Sequence, residues 1–249
     1  MRHAPFLLPP DDPQAPFPSG RFALEQPDGL LAIGGELSVP RLLNAYRGGI
    51  FPWFSHGQPI LWWCPDPRIV FRTEGFHLPS RFRRSLRHST WEVRADTAFS
   101  EVMAACASTP RPGQQGTWIT PEMLQAYSEL HRLGHAHSVE VFEDKRLVGG
   151  IYGVAIGRMF FGESMFSAVS GGSKVALAGL ACRLQEWGWP LIDAQVTNPH
   201  LLTLGAESMG RDAFLEEVTH LASRPDPGGH WTARFGVLAA SGLAKLAGD

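Results

Sequence analysis

Cysteine is scarce: Cys64, Cys106 and Cys182 stand far apart and are odd in number, which argues against a disulfide framework or a zinc site of paired thiolates and fits a reducing compartment. No two histidines have metal-ligand spacing, His135 and His137 flanking a turn or strand start, so no metal is expected. Long apolar runs are missing too. Residues 1–10 lack the core of a signal peptide, and the most apolar stretch, 147–157, is too short and too rich in glycine to span a bilayer. A soluble cytoplasmic protein without membrane contact is expected. Neither sign of charge dominates, since 22 Lys and Arg face 24 Asp and Glu for a formal net charge of -2. Any nucleic-acid contact must therefore come from a local patch. The P-loop pattern, the dinucleotide fingerprint and the Gly-x-Ser-x-Gly elbow are all absent, which disfavours a nucleoside triphosphatase, a dehydrogenase and the usual hydrolases.

What is present is enough for a real core: 249 residues, 44% of them hydrophobic, in one large domain or a small domain followed by a larger one. Residues 9–19, rich in proline and acidic or small residues, predict an irregular, mostly extended arm. Ser38 as N-cap, Pro40 in the first turn, the stripe Leu42, Leu43 and Tyr46, and the stop Gly48-Gly49 predict a helix. The aromatic-dense runs 50–54 and 60–65 predict structured loops or short strands, with their tryptophans mainly core.

Between 68 and 94, Arg68, Arg72, Arg81, Arg83, Arg84, Arg87 and Arg94 outnumber Glu74 and Glu92. Arg81, Arg84 and Arg87 or His88 recur at helical spacing, so this face either offers guanidinium groups to phosphates or is a solvated basic face. Asp96 is expected to cap a helix carrying Phe99, Val102, Met103 and Cys106, residues 110–116 to form a loop, and Thr120-Pro121 to start a helix that Gly134 ends. Three antiparallel strands follow at 138–142, 147–156 and 159–166. A helix with Leu177, Leu180, Ala181, Leu184 and Trp187 on one face leads into a further strand, and a final helix lies near 211–221. That order predicts a mixed α/β sheet with a right-handed crossover, as in acyltransferases of the N-acetyltransferase type.

The chemistry concentrates at 191–206. Leu191-Ile192 opens an extended run whose two-residue period sends Asp193 and Gln195 to one face and Ile192, Ala194 and Val196 to the other. Asn198-Pro199 ends the strand, and one short helical turn precedes Gly205. A carboxylate beside an amide there is either an exposed strand end or a site. The turn Ser170-Gly-Gly-Ser173 likewise either offers free amides to a phosphate or is an ordinary loop.

The sequence resembles the leucyl/phenylalanyl-tRNA-protein transferases over roughly residues 28–215. The resemblance rests on Asp28-Gly-Leu-Leu-Ala-Ile-Gly-Gly-Glu-Leu-Ser38, Gly49-Ile-Phe-Pro-Trp-Phe-Ser55, Pro59-Ile-Leu-Trp-Trp63 and Pro65-Asp-Pro-Arg68. It continues through Gly116-Thr-Trp-Ile-Thr120, His135-Ala-His-Ser138, Gly162-Glu-Ser-Met-Phe-Ser167 and the Asp193 stretch. It implies an α/β (α+β) protein: a small N-terminal α/β domain at 1–66, and at 67–249 an acetyltransferase-like mixed sheet with flanking helices and a C-terminal tail. The implied activity moves leucine or phenylalanine from aminoacyl-tRNA to acceptor proteins with N-terminal Arg or Lys, creating an N-end-rule degradation signal. No cofactor is implied, the aminoacyl-tRNA being a substrate, and a monomer is expected.

Residue by residue, the resemblance implies Asp193 and Gln195 as the catalytic pair and Glu163 in the substrate site. It puts Trp53 and Trp118 around the 3′ adenosine of the tRNA, and Ile151 and Phe160 at pocket positions. Arg81, Arg83, Arg84 and Arg87 are expected to hold tRNA by its phosphates. Three departures stand out: Ala194 where the family often has Cys, Ala168 where it has Arg, and Gly171-Gly172 where it has Asn-Ala. None touches the expected pair, although Ala168 puts one possible phosphate contact in doubt. Because the aminoacyl ester is already activated, Gln195 is expected to accept a hydrogen bond from the attacking amine while Asp193 orients it. A coenzyme-A-dependent N-acetyltransferase and a non-catalytic RNA-binding protein remain as other readings.

Overall fold

The computed structural model describes residues 4–109 and 117–245; the loop expected at 110–116 lies outside them. Strands β1 (Phe6–Leu8), β2 (Leu30–Gly34), β3 (Phe51–Pro52) and β4 (Leu61–Trp63) form a sheet in the order β1-β2-β4-β3, with helix α1 (Val39–Arg47) between β2 and β3 in the chain. Local chemistry sets the ends of α1. Ser38 Oγ accepts the Arg41 N–H, Pro40 sits in the first turn, and Gly49, at φ +68, takes the chain away from the helix. The arm at 9–19 is irregular but anchored, because the fully buried Arg41 donates to the carbonyls of Pro9, Asp12 and Ala15. Trp62 is buried and its indole N–H donates to Gly34 O at 2.8 Å.

The chain then builds an eight-stranded sheet from β5 (Arg68–Arg72), β6 (Glu92–Ala95), β7 (Ala136–Glu143), β8 (Arg146–Ile156), β9 (Met159–Ser167), β10 (Leu191–Gln195), β11 (Glu207–Met209) and β12 (Leu238–Ala239). Their order is β11-β5-β10-β9-β8-β7-β6-β12, and among these pairs only β9 and β10 run parallel. Helices α2 (Ser80–Leu86), α3 (Phe99–Ser108), α4 (Pro121–Arg132), α5 (Gly172–Glu186), α6 (Pro199–Leu202), α7 (Arg211–Ala222) and α8 (Thr232–Phe235) flank it. The expected meander, helix and parallel strand are thus β7-β8-β9, α5 and β10. Strands β5, β6, β11 and β12 were not expected. β11 and β12 have only 3 and 2 residues, too few for periodicity to register, and β5 was hidden in a stretch read for its arginines.

Alternation along the central strands feeds two apolar layers. Tyr152, Phe161 and Leu191 face α3 and α4 and share one cluster with Tyr46, Phe51 and Trp62 of the small sheet unit. Ile151, Phe160 and Ile192 face the other way, toward Leu177 and Leu184 of α5 and toward Trp189 and Trp231.

Asp96 does not cap α3; Ala98 holds the N-cap position with no side-chain bond. Asp96 instead sits at φ +57, and its carboxylate accepts from His137 Nδ1 at 2.8 Å, Trp231 N at 2.6 Å and Ser138 N at 3.0 Å. Burial opposes its charge, yet these donors hold the carboxyl below its usual range. Asp96, His131 and His230 have possible ligand atoms within 4.8 Å of one another. His131 Nδ1, however, donates to Ala136 O at 2.9 Å, and the Asp96 contacts serve to fix the chain around Trp231, whose ring stacks on His137 at 3.9 Å. Among the described residues no helix is long and apolar enough to cross a membrane.

Candidate active site

The site lies where β9 and β10 both lose their regular pairing. In the β10–β5 register Asp193 faces Val70 and Gln195 faces the next residue, Ile69, which leaves Ala194 as the extra residue of a bulge. Gln195 follows at φ +62, a left-handed conformation that costs a non-glycine residue about 1–3 kcal/mol. In the β8–β9 register Tyr152 faces Ser164 while Gly153 faces Gly162, so Glu163 is the extra residue there. Simple alternation predicted Asp193 and Gln195 side by side, but the bulge separates their side chains.

Asp193 turns into the core. It is fully buried and accepts two parallel bonds from Arg68, Nε to Oδ1 at 2.8 Å and Nη2 to Oδ2 at 2.6 Å. Its Oδ1 also accepts the main-chain N–H of Gln195 at 2.8 Å. The expectation that Asp193 orients Gln195 therefore changes form: the contact runs through the backbone and not through the side-chain amide. Arg68, counted from sequence with a surface basic patch, is 0% exposed. Arg72 and Arg94 are likewise paired, with Glu207 at 2.7 Å and Glu92 at 2.6 Å.

The Gln195 side chain reaches Glu163 instead, Nε2 donating to Oε1 at 2.8 Å. Tyr46 OH donates to the same oxygen at 2.7 Å and Tyr127 OH to the other at 3.2 Å, and the two hydroxyls contact each other. Burial pushes the Glu163 carboxyl up to about 7; the tyrosine bonds and Arg68 oppose this, and nearby Asp193 adds to it. Burial, followed by the charge of Glu163, also drives both tyrosine hydroxyls well above their ordinary range.

Glu163 and Gln195 edge a cleft of about 280 Å³. Trp53 and Trp118 stand on its walls, and Phe71, Ile151, Met165, Leu177, Ile192 and Leu201 give it an apolar lining. Trp53 is 37% exposed, unlike the core tryptophans, and its carbonyl takes the indole N–H of Trp63 at 2.7 Å. Phe160 does not line the cleft. It points into the α5 layer, 1% exposed, with its ring 5.7 Å from that of Trp231. The sequence reading missed Arg68, Tyr46, Tyr127, Met165 and Leu177. Met165 carried no signal, because only the bulge at Glu163 brings it opposite Ile151 across the β8–β9 hairpin.

Arg81, Arg84 and Arg87 are exposed on and just after α2, while Arg83 is half-buried with Nη2 on Ser80 Oγ at 3.4 Å. The α2 helix rests on the glycine turn before α5, since a Cβ on Gly171 would meet the Phe82 ring at 2.5 Å. Two of that turn's amides are already taken. Gly172 N–H donates to Val169 O and Ser173 N–H to Ser167 Oγ, so the phosphate-cradle reading fails for those two groups. Gly172 serves packing, because a Cβ there would lie 2.3 Å from Val148 O.

The family model described as leucyl/phenylalanyl-tRNA protein transferase matches residues 70–219, and the model of that enzyme's N-terminal domain matches 35–66. A protein of Xanthomonas euvesicatoria pv. vesicatoria (strain 85-10) named leucyl/phenylalanyl-tRNA–protein transferase is 69% identical over 231 residues, 93% of this chain and 92% of its own. The chain belongs to the leucyl/phenylalanyl-tRNA–protein transferase family. A relative of the same name from Xanthomonas campestris pv. campestris (strain B100) is 65% identical over 245 residues, 98% of each chain. Among solved structures, a conserved protein of unknown function from Staphylococcus epidermidis ATCC 12228 aligns with a TM-score of 0.41 and 8% identity, over 73% of this chain and 68% of its own. That last likeness is too distant to bear on this transferase family's site.

Proposed function

We propose that this protein moves leucine or phenylalanine from aminoacyl-tRNA to the N-terminal Arg or Lys of acceptor proteins, as a cytoplasmic monomer, and so marks them for N-end-rule degradation. The observation that carries this reading is the cleft itself. Two tryptophans line an apolar cleft that also holds one amide and one buried carboxylate. Stacking between Trp53 and Trp118 suits a terminal adenosine, and Ile151, Met165 and Leu177 suit an apolar aminoacyl side chain.

Little catalytic equipment is needed, and no resident cofactor. The ester is already activated, and an α-amino group of pKa ~7.7–8.0 is roughly a tenth deprotonated at neutral pH. With Gln195 Nε2 given to Glu163, its Oε1 is left to accept a hydrogen bond from the attacking amine. The amine nitrogen bonds to the ester carbonyl carbon, the carbon–oxygen bond to the ribose breaks, and the amine's surplus proton ends on the departing ribose oxygen. Orientation supplies most of the rate.

The deciding assay incubates purified protein with leucyl-tRNA and a peptide beginning with Arg. Transfer adds the mass of one leucyl residue to the peptide. No gain with leucyl-tRNA, or a gain of an acetyl group from acetyl-coenzyme A, would contradict the reading. Neutralising Arg81, Arg84 and Arg87 together should raise the KM for aminoacyl-tRNA and reduce its dependence on salt, each lost phosphate contact lowering the log–log slope by about 0.7–0.9. An unchanged salt slope would remove this patch from the tRNA path.

A further inference from the structure

We infer that Arg68 is a positioning residue for aminoacyl transfer: its grip on Asp193 fixes the bend that aims the Gln195 side chain into the cleft. This rests on the transfer reading above, and goes beyond it by giving a part to a residue that touches no substrate.

Asp193 offers no accessible edge to an incoming amine. Arg68 Nε and the Gln195 N–H occupy Oδ1, Arg68 Nη2 occupies Oδ2, and the residue is fully buried. Its hydrogen-bonded hold on Gln195 passes through the main chain. There it acts at a strained point, since the bulge at Ala194 and the φ of +62 at Gln195 give up regular strand pairing. A carboxylate free to rotate would let the strand relax toward extended geometry and carry the Gln195 amide away from Glu163.

Arg68 supplies what prevents that rotation. Its guanidinium lies over the rings of Phe51 at 4.8 Å and Phe214 at 4.4 Å, so β3, β5 and α7 together fix its plane. Phe51 is also a cleft wall, which ties the small sheet unit to the aim of Gln195. Among the described residues Arg68 Nη1 has no hydrogen-bond partner, so the side chain is not arranged to satisfy every donor. A buried pair of this kind adds little to stability over apolar residues of the same volume, whereas a planar two-pronged grip fixes orientation. A lysine would keep the charge and lose the fork.

The test is steady-state leucyl transfer by wild type, Arg68→Lys and the paired Arg68→Met/Asp193→Leu, with Tm and leucyl-tRNA binding measured on each. In Arg68→Lys kcat should fall at least tenfold while the KM for leucyl-tRNA stays within about twofold. The paired variant, with both charges gone, should recover the wild-type Tm and tRNA affinity and still show the kcat deficit. Wild-type kcat in either variant would overturn the assignment. So would losses of kcat that merely track Tm and tRNA affinity in both, which would give Arg68 to the fold alone. A wild-type protein that transfers nothing would overturn the transfer reading, and this inference with it.

Discussion

Gln195→Ala lowers kcat for leucyl transfer by about 100- to 1,000-fold and leaves the KM for aminoacyl-tRNA within about twofold. The magnitude is that of removing one preorganised hydrogen-bonding group from a reacting centre. The split between constants follows from geometry. The tryptophans and the apolar slot hold the tRNA end, whereas Gln195 Oε1 meets only the amine, so its loss removes an interaction made on the way to the transition state. Main-chain structure should survive, because Asp193 holds residue 195 by its N–H, which alanine retains. Steady-state kinetics with the charged tRNA varied at saturating acceptor peptide reads both constants. Equal losses in kcat and in tRNA affinity would make Gln195 a binding residue and remove it from the chemistry.

Glu163→Gln should abolish a pH dependence of stability worth about 2–3 kcal/mol between pH 5 and pH 8. Burial raises the folded-state carboxyl from its usual value near 4.5 to about 7. A proton is therefore bound more tightly by the folded protein than by the unfolded chain. The stabilisation that this proton brings is complete below about pH 4.5 and is lost as pH rises through 7. Glutamine copies the protonated form and can still accept from Tyr46 and from the Gln195 amide, so the variant should hold its stability into the alkaline range. Glu140, also raised to about 7 by burial, is present in both proteins and cancels in the comparison. Urea unfolding of both proteins across this range measures the difference. Parallel curves would mean that Glu163 titrates normally.

Caps and the central meander were legible because their signals are local. Ser38 and Thr120 each accept a backbone N–H three residues on, as their positions before Pro40 and Pro121 predict. The β7-β8-β9 turns and the apolar face of α5 could be read from spacing alone. Asp193 and Gln195 also stood out as polar residues in an apolar strand. What they touch did not, since a bulge is one extra residue in a register and leaves no mark in a two-residue period. The same holds for the pocket. The tight turn of the β8–β9 hairpin alone would set Ile151 opposite Ser164, but the bulge at Glu163 moves it opposite Met165. Arg68 was misread for another reason: its sign is visible in the sequence, but its burial depends on Asp193, Phe51 and Phe214, which meet it only in the folded chain. Asp96 belongs to the same class, its partners His137 and Trp231 lying 41 and 135 residues away.

The most direct measurement is a crystal structure with a hydrolysis-resistant amide analogue of leucyl-adenosine. The adenine should lie against Trp53 and Trp118, the leucyl side chain among Ile151, Met165 and Leu177, and the carbonyl carbon beside Gln195 Oε1. An analogue bound with its leucyl group outside that slot, or with Gln195 and Glu163 untouched, would contradict the transfer reading.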